Sequence, residues 1–343
     1  MTIDTAQGSH EAAVGAAAAT TTGPDGGATP WRRVAGIVVG VAALLTLVAT
    51  AFAWPVVNSG PRDVPLAVAA PAPVAEALTQ QLATVAGEDA FAVSVVADRA
   101  AAQEAVLDRE VYGAIVVGGE GGEVLTASGA SPAIAQLLAQ IATNAPEQAG
   151  GPFPVTDLAP LPEDDPRGSG LGSAVLPLVI AGIASGAASG LAVSGRGRQL
   201  VTMTGVAVVG GLVLVGVVQA WLGGLPGSYW ANAGVLSLGI AAVGAVALGL
   251  VRLLGAPGIA LTALVMVLLG STLSGAQSAP EMLPSGWGTF GQLLPPGAAG
   301  TALRSVAWFD GAGSGSAFLV LACWVVAGLA LTMLPSRRAA HRA

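Results

Sequence analysis

Five long stretches of the sequence contain no Asp, Glu, Arg, Lys or His, and this pattern limits the possible folds more than any other feature. An apolar helix of about 20 residues crosses the hydrocarbon core of a bilayer, where unpaired backbone groups are costly. Four stretches hold one such helix each. The residues between Arg198 and Arg252 hold two, because Pro226 and the neighbouring glycines interrupt the helix. The stretches lie between Arg33 and Arg62, Arg167 and Arg196, Arg198 and Arg252, Arg252 and Glu281, and Asp310 and Arg337.

The sequence therefore predicts a polytopic α-helical membrane protein with six transmembrane helices. Arginines flank these helices in four places, and an even number of helices puts all four on one side. Because arginines near helix ends are enriched in the cytoplasm, we expect a multi-pass protein of the cell membrane with both termini cytoplasmic. The helices are predicted at 34–56, 171–193, 200–222, 231–251, 258–276 and 315–334. The arginines are Arg32 and Arg33, Arg196 and Arg198, Arg252, and Arg337, Arg338 and Arg342.

The chain divides into five predicted parts around these helices. The first tail is rich in Ala, Thr and Gly, and we expect it to be disordered because it has little to bury. AFA at 51–53 resembles a signal-peptidase site, but the apolar stretch before it is about 20 residues rather than 7–15, which favours a retained helix. The parts are a cytoplasmic tail (1–30), transmembrane helix 1 (31–56), an extracytoplasmic domain (57–169), transmembrane helices 2–6 (170–335) and a cytoplasmic tail (336–343).

The composition argues against an enzyme. Charged residues make up 10% of the chain, and none is a lysine, which excludes a P-loop and a Schiff-base mechanism. His10 and His341 lie in the polar tails, and the single cysteine, Cys323, lies in an apolar run. We therefore expect no catalytic residues, no cofactor and no metal site. The partner we expect is the lipid bilayer, and we expect no nucleic-acid partner.

The 57–169 segment has the charge and patterning of a separate domain. It holds 15 acidic residues and four arginines, a net charge of −11, whereas the rest of the chain has a net charge of +4. Its order of elements is β-α-β-α-β-β-α followed by an extended piece near 153–160, which predicts an α/β sheet with an antiparallel edge. The strands are predicted at 64–71, 90–98, 111–119 and 123–129, and the helices at 73–86, 99–110 and from Ser131 onward.

Spacing within this domain predicts which helix residues are buried. Asp98 can cap the helix over 99–110, and Ser131 followed by Pro132 is typical of a helix start. Three further sets of apolar residues repeat at helical spacing. They are Val74, Leu78, Leu82 and Val85; Ala102, Ala105, Val106 and Leu107; and Ile134, Leu137, Leu138 and Ile141.

Small residues recur at four-residue spacing in the predicted membrane helices. Gly182, Gly186 and Gly190 form GxxxGxxxG, and Gly36 and Gly40 form GxxxG. Such spacing lets helix backbones approach closely in lipid, either within one chain or between two copies. The six predicted spans contain no Asp, Glu, His or Arg, which is unusual for an ion-coupled carrier. If the protein transports a compound, we expect another subunit to supply the energy.

The segment 277–311 lies between the last two predicted helices and is too long for a simple turn. Its prolines divide it into short pieces, and its tryptophans are typical of a membrane interface. We expect two short helices at the outer leaflet, with Arg304 near the headgroups. This re-entrant or interfacial segment is either an outer gate that contacts a lipid-like substrate or a structural cap. The candidate gate residues are Met282, Pro284, Trp287, Pro295, Pro296 and Arg304.

Four phrases of the sequence resemble the type-2 ABC exporter permease family, in its branch that includes the phage infection protein and actinobacterial membrane proteins. They are DREVYGAIVV (108–117), LTASGASPAIAQLL (125–138), PLPEDDPRGSGLGSAVLPLVIAG (160–182) and MLPSGWGTFGQLLPPGAAGTALR (282–304). The resemblance implies a permease that forms a homodimer or pairs with a related permease, driven by a separate nucleotide-binding ATPase subunit. In this family the ATPase contacts the loop between the second and third helices, which here contains Arg196 and Arg198.

Two functional hypotheses follow from the sequence. The first is an exporter permease for a hydrophobic or amphiphilic compound. The second is a non-transporting envelope protein whose extracytoplasmic domain binds a protein partner or a phage.

Overall fold

The computed structural model describes residues 29–118, 121–144 and 152–335, so the tails predicted at 1–30 and 336–343 lie almost wholly outside the described residues. The chain forms two compact units, up to Leu47 and from Val48 onward. The first described helix, α1, comprises Trp31–Val57. The α/β domain follows, with β1 (Val64–Ala69), α2 (Ala72–Ala86), β2 (Phe91–Val95), α3 (Arg99–Leu107), β3 (Gly113–Gly118), β4 (Gly121–Thr126), α4 (Pro132–Thr143) and β5 (Val155–Asp157).

A second group of helices follows the α/β domain. Two of them, α6 and α8, continue directly into π-helical turns. The elements are α5 (Ser169–Ala192), α6 (Arg196–Val215, then Gly216–Trp221), α7 (Tyr229–Leu254), α8 (Ala256–Ala263, then Leu264–Ser271), a 3₁₀ turn (Pro280–Met282), α9 (Trp287–Gln292), α10 (Pro295–Trp308) and α11 (Gly315–Met333).

Five helices among the described residues are long and apolar enough to cross a membrane, as is typical of a polytopic helical membrane protein. They are Trp31–Pro55 in α1, Ser169–Ala192, Arg196–Trp221, Tyr229–Leu254 and Gly315–Met333. The span predicted at 258–276 corresponds to the apolar helix Ala256–Ser271. This helix is shorter than predicted, because the chain forms a turn after Ser271. A crossing at this sixth position therefore stays a prediction.

Helix α7 lies at the centre of the helical bundle and packs against α5, α6, α10 and α11. The glycines of the GxxxGxxxG motif face it from α5. A Cβ added at Gly186 would lie 2.5 Å from both Ala247 Cβ and Gly244 O, and one at Gly182 would lie 2.5 Å from Val243 Cβ. The motif thus allows close packing within one chain, whereas a Cβ at Gly36 or Gly40 would meet no atom within 4 Å.

The sheet of the α/β domain has the strand order β2-β1-β3-β4-β5. As predicted, β1 pairs in parallel with β2 and β3, and β4 runs antiparallel to β3. The predicted antiparallel edge is confirmed and consists of two strands, because β5 pairs in parallel with β4 and both run antiparallel to β1, β2 and β3. With only three residues, β5 is too short for its hydrophobic pattern to reveal its neighbour.

The predicted helix starts in this domain are confirmed, and the predicted buried faces are confirmed in part. Asp98 accepts a hydrogen bond from Ala101 N, and Ser131 accepts one from Ile134 N. The expected burial of Val74, Val85 and Leu107 was wrong, because their side chains are 37%, 70% and 37% exposed. Val74 lies in the first turn of α2. Leu107 is the last residue of α3, and Val85 lies in the last turn of α2, where each helix leaves the sheet.

Single cysteines in a Cys323→Ala background test the predicted topology. We expect a membrane-impermeant maleimide to label Glu88→Cys and Gly315→Cys on intact cells, and Gly197→Cys only after permeabilisation. A Cβ at Gly197 or Gly315 meets no atom within 4 Å, so neither probe disturbs packing. If Gly315→Cys were not labelled on intact cells, Ala256–Ser271 would not cross the membrane. If Glu88→Cys were not labelled, the α/β domain would not be extracytoplasmic.

Adding side-chain volume where α5 meets α7 should destabilise the bundle. We expect Gly186→Val to lower the free energy of unfolding by about 1–3 kcal/mol, because the new methyl groups meet backbone atoms of α7 that cannot move aside. The control is Gly205→Val on α6, where a Cβ meets no atom within 4 Å. Thermal unfolding in detergent measures both variants, and equal effects would contradict close packing at Gly186.

Candidate functional site

A cavity of about 530 Å³ lies between the α/β domain and the segment 277–311. Its volume falls within the range of about 300–1,000 Å³ that small-molecule sites occupy. Its lining includes six charged and polar side chains, Arg62, Asp63, Arg109, Glu110, Tyr112 and Glu281. The 277–311 segment and α11 also contribute apolar residues, Leu283, Pro284, Leu293, Ala317 and Val320, beside the polar Ser285, Thr289, Gln292, Thr301 and Ser316. The cavity is therefore amphipathic.

Arg109 joins the α/β domain to α10. Its Nη1 donates hydrogen bonds to Ser305 Oγ at 2.5 Å and to Thr301 O at 3.3 Å. Its guanidinium lies 5.4 Å from the centroid of the Phe309 ring, within the range of a cation–π interaction. Arg109 adopts a φ of 62°, in the left-handed region that non-glycine residues seldom occupy. The turn after α3 thus holds Arg109 in an uncommon backbone conformation at the junction.

Tyr112 makes the second side-chain link across the junction. Its hydroxyl donates a hydrogen bond of 2.7 Å to Glu281 Oε2 in the 3₁₀ turn. Burial raises the pKa of Tyr112 above its ordinary value, and the negative charge of Glu281 raises it further. Burial also lowers the pKa of Arg109. The tyrosine therefore stays protonated, as a hydrogen-bond donor to the carboxylate, well beyond neutral pH.

Backbone and ring contacts extend the junction on both sides. Arg62 N donates to Glu281 O at 3.0 Å, and Gly60 N donates to Met282 O at 3.0 Å. Trp308 Nε1 donates to Pro160 O at 3.1 Å. The Trp308 ring covers Gly129 so closely that a Cβ there would lie 2.2 Å from Trp308 Cδ1. These contacts fix the α/β domain against α10 and the 3₁₀ turn.

The expected position of Arg304 near lipid headgroups was wrong. Its side chain is 3% exposed, and its Nη2 donates a hydrogen bond of 2.8 Å to Ala276 O. Burial, together with the nearby charge of Arg109, lowers the pKa of Arg304 to about 10, so it stays protonated at neutral pH. The reason is that α10 packs against α5, α7 and α11 instead of lying at the surface of the bundle.

Only one of the six candidate gate residues, Pro284, lines the cavity. Met282 packs against the apolar core of the α/β domain, and Trp287 contacts Trp54 with ring centroids 5.3 Å apart. Pro295 and Pro296 are buried at the start of α10. Four polar residues of the junction are not among the candidates that the sequence predicts: Arg62, Arg109, Tyr112 and Glu281. Arg109 and Tyr112 lie in the phrase DREVYGAIVV, but nothing in the phrase indicates a contact with residues near 281 or 305.

The two arginines considered for an ATPase contact lie at the start of α6. Both side chains are exposed. Arg196 Nη2 donates a long hydrogen bond of 3.5 Å to Met333 O at the end of α11. Both arginines thus lie on the surface of the bundle, near the end of α5. The start of α5, where Gly170 N donates a hydrogen bond of 2.6 Å to Asp165 Oδ2, is at the opposite end of the bundle.

A smaller cavity of about 180 Å³ lies within the α/β domain, between α2, α4 and the sheet. Its lining is mainly apolar, with Gln81, Gln140 and Asn144 as the polar members. The apolar members among the described residues are Leu78, Leu82, Val85, Ile115, Val124, Leu137, Ile141 and Phe153.

In the part of the chain that the structure describes, no three His, Cys, Asp or Glu side chains are grouped so that they could hold a metal ion. Comparison of the chain with protein-family models, curated proteins and solved structures found no match. The class of the protein therefore rests on its fold, which combines membrane-spanning helices with an α/β domain.

Replacing Tyr112 with Phe tests the link to Glu281. We expect a loss of about 1–3 kcal/mol at pH 8, because the Glu281 carboxylate loses a hydrogen-bond donor in a partly buried site. The raised pKa of Tyr112 means that above about pH 10 the unfolded chain ionises this residue while the folded chain resists ionisation. The stability difference between wild type and Tyr112→Phe should therefore be constant below pH 10 and decrease above it.

Thermal unfolding in detergent from pH 7 to 11 measures this difference. The matched control at pH 8 is Tyr229→Phe. It removes the hydroxyl of the only other tyrosine in the sequence, together with the hydrogen bond from that hydroxyl to Leu212 O. A difference between wild type and Tyr112→Phe that grows above pH 10 would contradict the assignment.

Proposed function

We propose that the chain is the permease subunit of a type-2 ABC-like exporter, which moves a hydrophobic or amphiphilic compound with energy from a separate ATPase. The observation that carries the proposal is the amphipathic cavity at the junction. A charged headgroup fits beside Arg62 and Arg109, while an apolar chain fits along Leu293 and Val320. The resemblance to permeases in four phrases of the sequence supports the same conclusion.

In this proposal the protein is a multi-pass protein of the cell membrane with six spans and both termini in the cytoplasm. The α/β domain is extracytoplasmic, and the cavity beneath it opens toward the outer leaflet. The 277–311 segment acts as the outer gate, in which Pro284 contacts the substrate. Met282, Trp287, Pro295, Pro296 and Arg304 support the gate through the contacts described above.

The proposed energy source acts from the opposite end of the bundle. The exposed Arg196 and Arg198 lie in the first turn of α6, directly after the short connection from α5. In the permease family that the sequence resembles, this connection contacts the ATPase. Among the described membrane-spanning helices, arginines occur only in the terminal turns and acidic residues do not occur. A permease driven by nucleotide hydrolysis in a second subunit needs no titratable group in the middle of the membrane. A second copy of the chain, or a related permease, completes the transporter.

Reconstitution in liposomes with the ATPases of the host tests this function. We expect ATP-dependent movement of a fluorescent phospholipid or drug-like amphiphile, and its loss when the ATPase is inactivated. Ser316→Trp should reduce the movement at least tenfold, because Ser316 lines the cavity and the indole fills it. The matched control is Leu319→Trp on the same helix, where the side chain is exposed and does not line the cavity.

Two results would contradict the proposal. One is that no ATPase of the host supports movement of any amphiphile tested. The other is that Ser316→Trp and Leu319→Trp transport equally well, because the cavity would then have no part in transport.

The apolar cavity of the α/β domain favours a second candidate, a non-transporting envelope protein that binds a protein partner or a phage through this domain. Leu78, Leu82 and Ile141 offer a cavity for one apolar side chain of a partner, and the exposed Val85 extends the surface at its edge. Binding of an envelope protein that Ser316→Trp leaves intact, combined with no ATP-dependent movement, would favour this candidate over the exporter.

A further inference from the structure

Three residues from α6 and α7 form a basic cluster at the end of the bundle that contains Arg196. Arg252 lies in the last turn of α7, and its Nη1 donates a hydrogen bond of 2.5 Å to Gln199 Oε1. Gln199 is 6% exposed, and its Nε2 donates to Val193 O at 2.9 Å. The amide of Gln199 is thus held between α5 and Arg252. Gln199 therefore fixes the guanidinium of Arg252 beside the first turn of α6.

Most of the hydrogen-bonding capacity in this cluster is unused. The bond to Gln199 is the only one that Arg252 makes among the described residues, and its buried Nε has no acceptor. Arg196 makes only the long bond to Met333 O, and its positive charge acts on Arg252. A guanidinium has five N–H donors, and a buried donor without an acceptor is costly. Arg196 lies one turn before Gln199 on the same face of α6, so the cluster carries two positive charges, and the Nε of Arg252 is buried without an acceptor among the described residues.

The described helices around this cluster contain no acidic residue that could neutralise it. The sequence has no Asp or Glu from residue 166 to residue 280, and none after Asp310. These two segments contain α5, α6, α7, α8 and α11, which are the elements that form this part of the bundle. The ion pair that the structure describes, Arg99 with Glu123, lies in the α/β domain. Among the described residues, Arg252 and Arg196 therefore have no anionic partner.

The surroundings of the cluster favour a lipid over a soluble anion. Met333, whose carbonyl oxygen accepts the bond from Arg196, is 56% exposed, and Leu200, one turn after Arg196 on the same face of α6, is half-buried. Both are apolar residues in helices that are long and apolar enough to cross a membrane. Arginines at the ends of such helices lie at headgroup depth, and basic pockets between membrane helices bind anionic headgroups.

We propose that Arg252, Gln199 and Arg196 form a binding site for the phosphate headgroup of an anionic phospholipid, whose acyl chains lie along Met333 and Leu200. The phosphate oxygens accept hydrogen bonds from the unused N–H groups of the two arginines. The lipid then occupies the position where α5, α6 and α7 end, and stabilises their packing. This site depends on the membrane-spanning helices alone and does not depend on whether the protein transports a compound.

Arg198 provides a matched control for this site. It lies two residues after Arg196, so the helical repeat directs it to a different face of α6. It is exposed, and the structure gives it no hydrogen bond or ion pair with another described residue. Arg198→Gln therefore removes the same charge from the same helix turn without touching the proposed site, and an ATPase contact at Arg198 is compatible with a lipid at Arg196 and Arg252.

The experiment measures binding of phosphatidylglycerol and phosphatidylcholine to the purified full chain in detergent, by native mass spectrometry and by the shift in Tm. We expect phosphatidylglycerol to bind preferentially and to raise the Tm. Arg252→Gln and Arg196→Gln should each reduce this preference about fivefold, which corresponds to about 1 kcal/mol per arginine, and Arg198→Gln should retain it. Arg252→Lys, which keeps the charge, tests the site if Arg252→Gln does not fold.

Four results would overturn the proposal. An equal affinity for both lipids excludes a headgroup site, and an equal loss in Arg198→Gln indicates a diffuse positive surface. An equal rise in Tm with inorganic phosphate alone indicates a site for a soluble anion. If the preference for phosphatidylglycerol emerges only after residues 1–28 are removed, the acidic residues of this tail, and not a lipid, occupy the site in the full chain.

Discussion

The close approach of α5 to α7 is the interaction on which the helical part of the structure depends. In lipid, apolar side chains gain little by meeting one another, so helices associate where small residues let their backbones come close. Gly182, Gly186 and Gly190 provide such a surface on α5, and the backbone and small side chains of α7 fill it. With α5 in place, α7 is surrounded by α6, α10 and α11, and every other helix of the bundle is positioned relative to α7.

Helix α10 connects this bundle to the α/β domain. One face of α10 packs against α5, α7 and α11, and this packing buries Arg304. From the same helix, Ser305 and Thr301 accept hydrogen bonds from Arg109, and Trp308 donates one to the backbone of Pro160. Because one helix makes both sets of contacts, a shift of α10 within the bundle would move the wall of the amphipathic cavity. The gate proposed above would depend on this coupling through α10.

The distribution of charge separates the two ends of the molecule chemically. At the junction, buried arginines are accompanied by the Glu281 carboxylate and by the Tyr112 hydroxyl. At the other end, Arg196 and Arg252 have no acidic residue in the adjoining segments of the sequence. The first arrangement is largely satisfied among the described residues, whereas the second leaves the buried Nε of Arg252 without an acceptor among them.

The sequence by itself determined the apolar helices, their limits to within a few residues, the α/β pattern of the inserted domain and the caps at Asp98 and Ser131. These features depend on local properties, namely hydropathy over about 20 residues, helical spacing and cap chemistry. Only the tertiary structure decided that Arg304 is buried, that β5 forms the edge of the sheet, and that Arg109 and Tyr112 meet α10 and Glu281. These contacts join residues far apart in the chain, and a periodic pattern shows which face of an element is apolar but not which partner covers it.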